Sequence, residues 1–345
     1  MKNKVLITGI TGQDGSYLAE HLIKNGYEVY GAIRRGSTYK FGRLDFLGIV
    51  DKVNIVSLEI TEFSNVFNVL RDLKPDYVYN LAAQSFVEES FRHPALTSNI
   101  NYNGVLNFLE AIRILGLDCS FYQASTSEMF GDVMEKPQSE KTPFNPLSPY
   151  GVSKCAAHHL VKNYRVAYGM RCSSGILFNH ESPLRGREFV TRKISYQMAE
   201  MKRGRENPIQ LGNLSSVRDW GYAPDFILAM EMIINAKTMN DFVVGTNEIA
   251  TVRDFFNKSA EVAGYNPIFE GEGIDEKCID IKSGKVLCEV NKSYFRPSDV
   301  IYLRGDYSAI KESLGWSPDS LWAEIAEKMT ISDIDSNELK SKYGI

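Results

Sequence analysis

The amino terminus constrains the fold more than any other stretch of the chain. Lys4-Val5-Leu6-Ile7-Thr8 is an apolar run of strand length, Gly9-Ile10-Thr11-Gly12-Gln13-Asp14-Gly15 is punctuated by glycine, and Ser16-Tyr17-Leu18-Ala19-Glu20-His21-Leu22-Ile23 reads as a helix. Glycines let a backbone approach a pyrophosphate, and a helix amino terminus offers that anion unpaired N–H groups. The G-x-x-G-x-x-G spacing could by itself mark any tight turn. Its position between strand and helix favours a dinucleotide site around Gly9, Gly12 and Gly15.

The next strand, Glu28-Val29-Tyr30-Gly31-Ala32-Ile33, runs into Arg34-Arg35. An acidic residue at that place usually holds the ribose hydroxyls of NAD, whereas two guanidinium groups suit a 2′-phosphate, so NADP is expected over NAD. The alternative makes both arginines solvated charges in the polar loop through Arg43.

Strand-like runs at 54–58, 77–81, 121–124 and 172–176 alternate with amphipathic segments. That alternation predicts an α/β fold, a doubly wound parallel Rossmann sheet over residues 1–175. Beyond it the pattern weakens, and 182–216 is rich in Arg, Gly and polar residues; 176–332 is expected to form a smaller α/β substrate-binding lobe. Segments near 215–245 and 298–305 could return to the first lobe, since Phe242-Val243-Val244 and Val300-Ile301-Tyr302-Leu303 are strand-like. The polar tail, 333–345, is expected to fray.

A formal charge of −4 gives no basic footprint for nucleic acid, so anions must meet locally placed arginines. No apolar run approaches the ~20 residues of a membrane span, and a cytoplasmic protein is expected. The five cysteines include no C-x-x-C pair, which fits reduced thiols, and the histidines show no metal-binding spacing.

Chemistry concentrates in the middle of the chain. Tyr150 and Lys154 lie four apart after Ser148-Pro149, a helix-opening pair, and so share a helix face. A nearby ammonium favours phenolate, which would bring Tyr150 down from the usual ~10 and let it take a proton from a hydroxyl. The spacing alone is weak, because Tyr307 and Lys311 repeat it without a supporting motif. Ser125-Thr126-Ser127-Glu128 follows a strand-like run, at the end of a parallel strand where ligands bind. Thr126 could donate to a substrate oxygen beside Tyr150 while Glu128 moves a proton at neighbouring carbons; the bland alternative is a cap and a first-turn carboxylate.

These residues resemble the extended short-chain dehydrogenase/reductases and, within them, the GDP-mannose 4,6-dehydratases. The resemblance rests on residues 7–15, Tyr122-Gln123-Ala124-Ser125-Thr126-Ser127-Glu128, Ser148-Pro149-Tyr150, Gly175 through Pro183, Phe189 through Ile194, Arg218-Asp219-Trp220-Gly221 and Tyr294-Phe295-Arg296-Pro297. It implies an internal redox cycle. Tyr150, tuned by Lys154 and assisted by Thr126, takes the 4-hydroxyl proton as hydride leaves C4 for NADP; Glu128 removes the C5 proton and helps the 6-hydroxyl leave as water; hydride then returns to C6 and a proton to C5. The product is a 4-keto-6-deoxy sugar nucleotide. By the same resemblance Gly9, Thr11, Gly12, Gln13, Asp14, Gly15, Arg34, Arg35, Glu59, Ile60, Leu81, Ala82, Ala83, Ser85, Tyr150, Lys154, His180 and Arg185 hold the cofactor. Ser85, Asn179, Val190, Lys193, Arg218, Arg296 and Asp299 hold the GDP-sugar. Arg218 could instead pair locally with Asp219. An arginine-rich loop from Arg35 to Arg43 reaches towards a neighbouring subunit in such families, which implies a homo-oligomer, a dimer or a tetramer.

The chain departs from the family pattern at Ser85-Phe86-Val87-Glu88-Glu89, where His usually follows Ser85, at Glu59-Ile60 in place of Asp-Leu, at Phe130 in place of Tyr and at Asp299 in place of Glu. The first change lies beside the sugar in the family and opens the expectation of a GDP-manno-heptose substrate in place of GDP-mannose. An epimerase or reductase would share Tyr150, Lys154 and the glycines but not need Glu128, and a non-catalytic NADP-binding regulator would tolerate loss of the active-site residues, yet Thr126, Glu128, Tyr150 and Lys154 are all present.

Overall fold

The computed structural model describes residues 2–36, 41–294, 300 and 302–345, and of 337–339 the backbone alone. Seven parallel strands form the central sheet: β1 (Lys4–Thr8), β2 (Glu28–Ile33), β3 (Asn54–Ser57), β4 (Tyr77–Asn80), β5 (Ser120–Thr126), β6 (Cys172–Leu177) and β7 (Asp241–Val244). Their order is β7-β6-β5-β4-β1-β2-β3. Strands covered on both faces have no solvent side to alternate towards, and β6 and β7 are buried at every residue.

One face packs on α1 (Gln13–Lys24) and the other on α2 (Phe63–Leu73), α3 (Gly104–Leu115) and α4 (Pro149–Tyr168). Leu18 and Leu22 fill the first layer, and Val66, Leu70, Phe108, Leu109 and Val161 fill the second. The direction of chain progression reverses between β1 and β4, and a crevice opens there beyond the strands' carboxyl ends.

A second sheet joins antiparallel strands Pro267–Glu270, Lys277–Asp280 and Val286–Val290, with Ile209–Leu211 parallel to the last. It packs with α5 (Val190–Lys202), α7 (Val252–Ala263) and α8 (Trp322–Lys342) around Ile194, Met198, Phe255, Phe256, Ile325 and Met329. Between α5 and α7 the chain crosses back: α6 (Ala223–Ile234) sends Phe226, Met230 and Ile233 into the layer of α1. Val300 and Leu303 also pack with Phe130, Ile176 and Val243 at the first sheet.

The tail corrects the expectation of fraying. α8 continues to Lys342 past a non-helical Ser336. Asp333 and Lys340 have no exposed surface, and Ile345 is buried. Polar composition misleads here because Asp333 pairs with Lys340 and Arg192 inside the protein.

Candidate active site

A cleft of about 550 Å³ runs from the glycine turn across the ends of β1, β4 and β5 to α5. At its floor, Gly9 takes φ +70° and its Cα lies so close to the next strand that a Cβ would sit 3.0 Å from Ala82 N. A Cβ on Gly15 would lie 2.3 Å from the Gly9 carbonyl oxygen. Neither position accepts a side chain, and the backbone thereby stays open to the cleft. No side chain caps α1 at Gly12, and Gly12, Gln13, Asp14 and Gly15 line the cleft. These first-turn amides suit a pyrophosphate.

The turn is locked by the segment that follows β6. Asp14 Oδ2 lies 2.8 Å from His180 Nε2, Gln13 Nε2 donates to the His180 carbonyl at 3.1 Å, and Ser182 Oγ donates to Gln13 Oε1 at 2.7 Å. Burial pushes the Asp14 carboxyl up, but the His180 charge and its hydrogen bond, with Gln13, outweigh it and hold the group at about 2. For His180, burial works against the imidazolium and Asp14 outweighs it, leaving its pKa raised.

The four residues expected to carry chemistry converge on one wall. Ser148 Oγ accepts from Gly151 N at 3.0 Å and Pro149 begins the helix, which starts α4 so that Tyr150 and Lys154 face β5. Tyr150 lies beside Thr126, whose hydroxyl favours the phenolate form. Thr126 Oγ1 also accepts from Glu128 N at 3.3 Å, so it is a cap as well as a neighbour of the phenol. Glu128 lines the cleft, half-buried.

The electrostatics differ from the expectation in one respect. Burial pushes the Tyr150 phenol up to about 12, against the lowering effect of Thr126. Lys154 is not among the leading influences on it: Nζ donates to the Ala124 carbonyl at 2.9 Å and stands 6.0 Å from the Tyr150 ring centre. Burial brings Lys154 itself down to about 8. Helical spacing settles which face both residues share but not which way the ammonium turns. The second Tyr-x-x-x-Lys lies elsewhere, with Tyr307 against Trp316.

Of the other expected cofactor residues, Leu81, Ala83, Ser85, His180 and Arg185 line the cleft. Ala82 forms the backbone beneath it, its N–H bound to Thr8 Oγ1 at 3.0 Å. Arg34 and Arg35 are exposed at the end of β2. Glu59 turns back to accept from Thr61 Oγ1 at 2.8 Å, and Ile60 packs against Gly104; neither lines the cleft. The Thr11 carbonyl accepts from Arg43 at 3.1 Å and Leu184 O from the same guanidinium at 2.7 Å. Arg43 thus lines the cleft of its own chain, and residues 37–40 of the loop lie outside the described residues.

On the opposite wall stand Asn179, Val190, Lys193 and Arg218. Lys193 Nζ lies 3.7 Å from the Tyr294 ring centre, and the Arg185 guanidinium lies 3.8 Å from that of Phe189. Asp219 gives its carboxylate to Thr246 N and Oγ1, Asn247 N and Gly305 N, a use the sequence did not suggest. Arg296 and Asp299 lie outside the described residues. Glu188, Phe189 and Tyr294 line the cleft without having been singled out, although Phe189 and Tyr294 lie inside motifs quoted above.

A parallel sheet of this order with a tyrosine, a lysine and a threonine at the β5 end defines a short-chain dehydrogenase/reductase. Solved structures agree in fold: a UDP-glucose 4-epimerase from Thermus thermophilus superposes with a TM-score of 0.80 at 25% identity, covering 96% of this chain and 98% of that one. A dTDP-glucose 4,6-dehydratase from Bacillus anthracis gives 0.81 at 17% identity, covering 99% of each. The profile described as GDP-mannose 4,6 dehydratase matches residues 6–329. GDP-mannose 4,6-dehydratase of Vibrio cholerae is 45% identical over 97% of this chain and 94% of that protein, and the Homo sapiens protein 41% identical over 97% and 92%. The chain belongs to the GDP-mannose 4,6-dehydratase family and is a hydro-lyase.

Proposed function

We propose that the protein dehydrates a GDP-manno sugar at C4, C5 and C6 to the 4-keto-6-deoxy sugar nucleotide, with NADP held throughout. The observation that carries this is the placing of Glu128 in the same cleft wall as Tyr150, Thr126 and Lys154. An epimerase has no step for that carboxylate.

The uncapped start of α1 and the close approach at Gly9 fit a dinucleotide pyrophosphate, and Arg34 and Arg35 suit a 2′-phosphate. When bound, NADP supplies a hydride acceptor that is regenerated and a positive charge beside the phenol. Tyr150 takes the 4-hydroxyl proton, and Thr126 holds the phenol towards the substrate oxygen. Lys154 holds the end of β5 through Ala124. Glu128 takes the C5 proton, made acidic by the 4-ketone, and protonates the departing 6-hydroxyl. Lys193 and Arg218, with Arg185, supply cations for the diphosphate.

The sugar is a GDP-manno-heptose in this reading, because Phe86 and Glu88 line the cleft where the family pattern differs. The exposed apolar side chains Val152, Val166 and Tyr168 on α4 and Ile114 on α3 support a homo-oligomer, testable by sedimentation equilibrium. Among the described residues no helix is long and apolar enough to cross a membrane.

Mass spectrometry after separate incubation with GDP-mannose and GDP-D-glycero-D-manno-heptose, without added reductant, tests the whole reading. Loss of one water establishes dehydration with the cofactor recycled, and the faster substrate decides the sugar. Preference for the hexose removes the heptose reading, and no loss from either favours an epimerase.

A further inference from the structure

The last turns of α8 carry a cluster that the chemistry above does not use. Arg192, Asp333 and Lys340 are all without exposed surface. The Asp333 carboxylate accepts from Arg192 Nε and Nη2 at 3.0 and 2.8 Å, Ser195 Oγ at 2.7 Å and Lys340 Nζ at 3.0 Å. Lys340 also donates to Ser332 Oγ at 2.7 Å. Buried ion clusters are poor sources of stability compared with apolar packing, and their best-attested use is to fix one arrangement over others.

The arrangement fixed here is that of the cleft's cationic wall. Arg192 sits between Thr191, whose hydroxyl donates to Glu181 at 2.5 Å, and Lys193, which lines the cleft. Its remaining Nη1 donates to the Arg185 carbonyl at 3.0 Å, and Arg185 also lines the cleft and pairs with Glu181 at 3.2 Å. Further along, Arg187 donates to Ser341 Oγ at 3.2 Å and to the Ile345 carbonyl. The tail backbone also presses on the other side of the cleft. A Cβ on Gly42 would fall 1.9 Å from Tyr343 O, and the next residue is the Arg43 that holds Thr11 and Leu184. One segment therefore touches the supports of Arg43, Arg185 and Lys193.

We propose that residues 332–345 are a positioning element for the cleft's cations, with Asp333 and Lys340 setting affinity for a pyrophosphate-bearing nucleotide and leaving the chemical step to the β5 wall. This rests on the reading of the cleft as a nucleotide-sugar site. Lys340→Met removes the buried lysine of the tail but leaves the Arg192–Asp333 pair intact. Arg187→Gln cuts the contacts with Ser341 and Ile345 without touching the buried cluster. Calorimetric titration with GDP, thermal melting and the separate kcat and KM are measured for the full chain.

Both variants are expected to stay folded and to bind GDP about 3- to 30-fold more weakly, with KM raised and kcat at saturation retained. Folded variants with wild-type GDP affinity overturn the proposal, as does a loss confined to kcat. If Lys340→Met fails to fold, Arg187→Gln decides alone. Wild-type protein that does not bind GDP at all would instead sink the nucleotide-sugar reading, a different outcome from variants that match it.

Discussion

Lys154 Nζ donates to the backbone carbonyl of Ala124 at 2.9 Å, tying α4 to β5 two residues before Thr126. The lysine therefore acts first on the strand that carries Thr126 and Glu128. Tyr150, four residues earlier on the same helix, is instead governed by burial and by Thr126.

Because burial brings Lys154 down to about 8, its ammonium is lost within a measurable range. The charged form is the one that donates all its protons to partners in the cleft, so kcat/KM is expected to fall as pH rises through about 8. Lys154→Arg keeps a cation at all working pH, and its profile should lack that limb. A limb unchanged in the variant assigns the titration to another group.

Glu128→Gln keeps the shape of the side chain and removes its basicity. Formation of 4-keto-6-deoxy product should drop by about 10²- to 10⁴-fold, with GDP affinity unchanged. Product formed at the wild-type rate would remove Glu128 from the elimination step.

Asp14 and His180 make a pair whose pH signature can be read from stability. The folded-state pKa of His180 is raised, so its contribution is complete below the unfolded value of 6.5 and is lost as pH rises through the folded value. Urea unfolding of the wild type should show that decline above about pH 6.5, the unfolded imidazole value. Asp14→Asn should flatten it and cost about 1–3 kcal/mol at pH 6. An identical slope in the variant would place the decline elsewhere.

The parts of this protein legible in its sequence are those with local causes. β6 and β7 are buried at every residue; the apolar run Phe242-Val243-Val244 follows from that, while β6 meets the same demand with the small residues Ser173, Ser174 and Gly175 among its apolar ones. Ser148-Pro149 announces α4 because the serine caps it and the proline needs no N–H. What was not legible depends on contacts between distant segments. Asp14 and His180 are 166 residues apart, and nothing near either residue announces the other. Arg43 looked like a loop charge because its acceptors, the Thr11 and Leu184 carbonyls, are backbone groups with no sequence signature. The tail looked solvated because composition cannot show that the Asp333 carboxylate is shared by two buried cations, Arg192 and Lys340.

Gly15→Ala tests the floor of the cleft. Its Cβ would meet the Gly9 carbonyl oxygen at 2.3 Å and Ile10 Cα at 2.7 Å, both backbone atoms that cannot rotate away. The turn must shift, at an expected cost of about 1–3 kcal/mol in urea unfolding. NADP affinity should fall with it. A variant that binds NADP as the wild type does would show that the turn is not the pyrophosphate site.

Asp219 joins three chain segments beneath Arg218. Thr246 N at 2.9 Å and Oγ1 at 2.7 Å, Asn247 N at 3.0 Å and Gly305 N at 2.9 Å all donate to its carboxylate. Burial pushes the group up to about 6, while these donors act in the opposite direction. With a folded value above the unfolded 3.8, its proton-linked stability is complete below that value and is lost as pH rises through about 6. At pH 8 it is ionised and matches four donors with acceptors only. Asp219→Asn brings an amide N–H against donors and leaves at least one unsatisfied, for about 1–3 kcal/mol per orphaned group. The variant should be less stable at pH 8, lack the wild type's decline between pH 4 and 6, and bind GDP more weakly because Arg218 follows the loop. Wild-type stability at pH 8 would mean that the three segments hold together without the carboxylate.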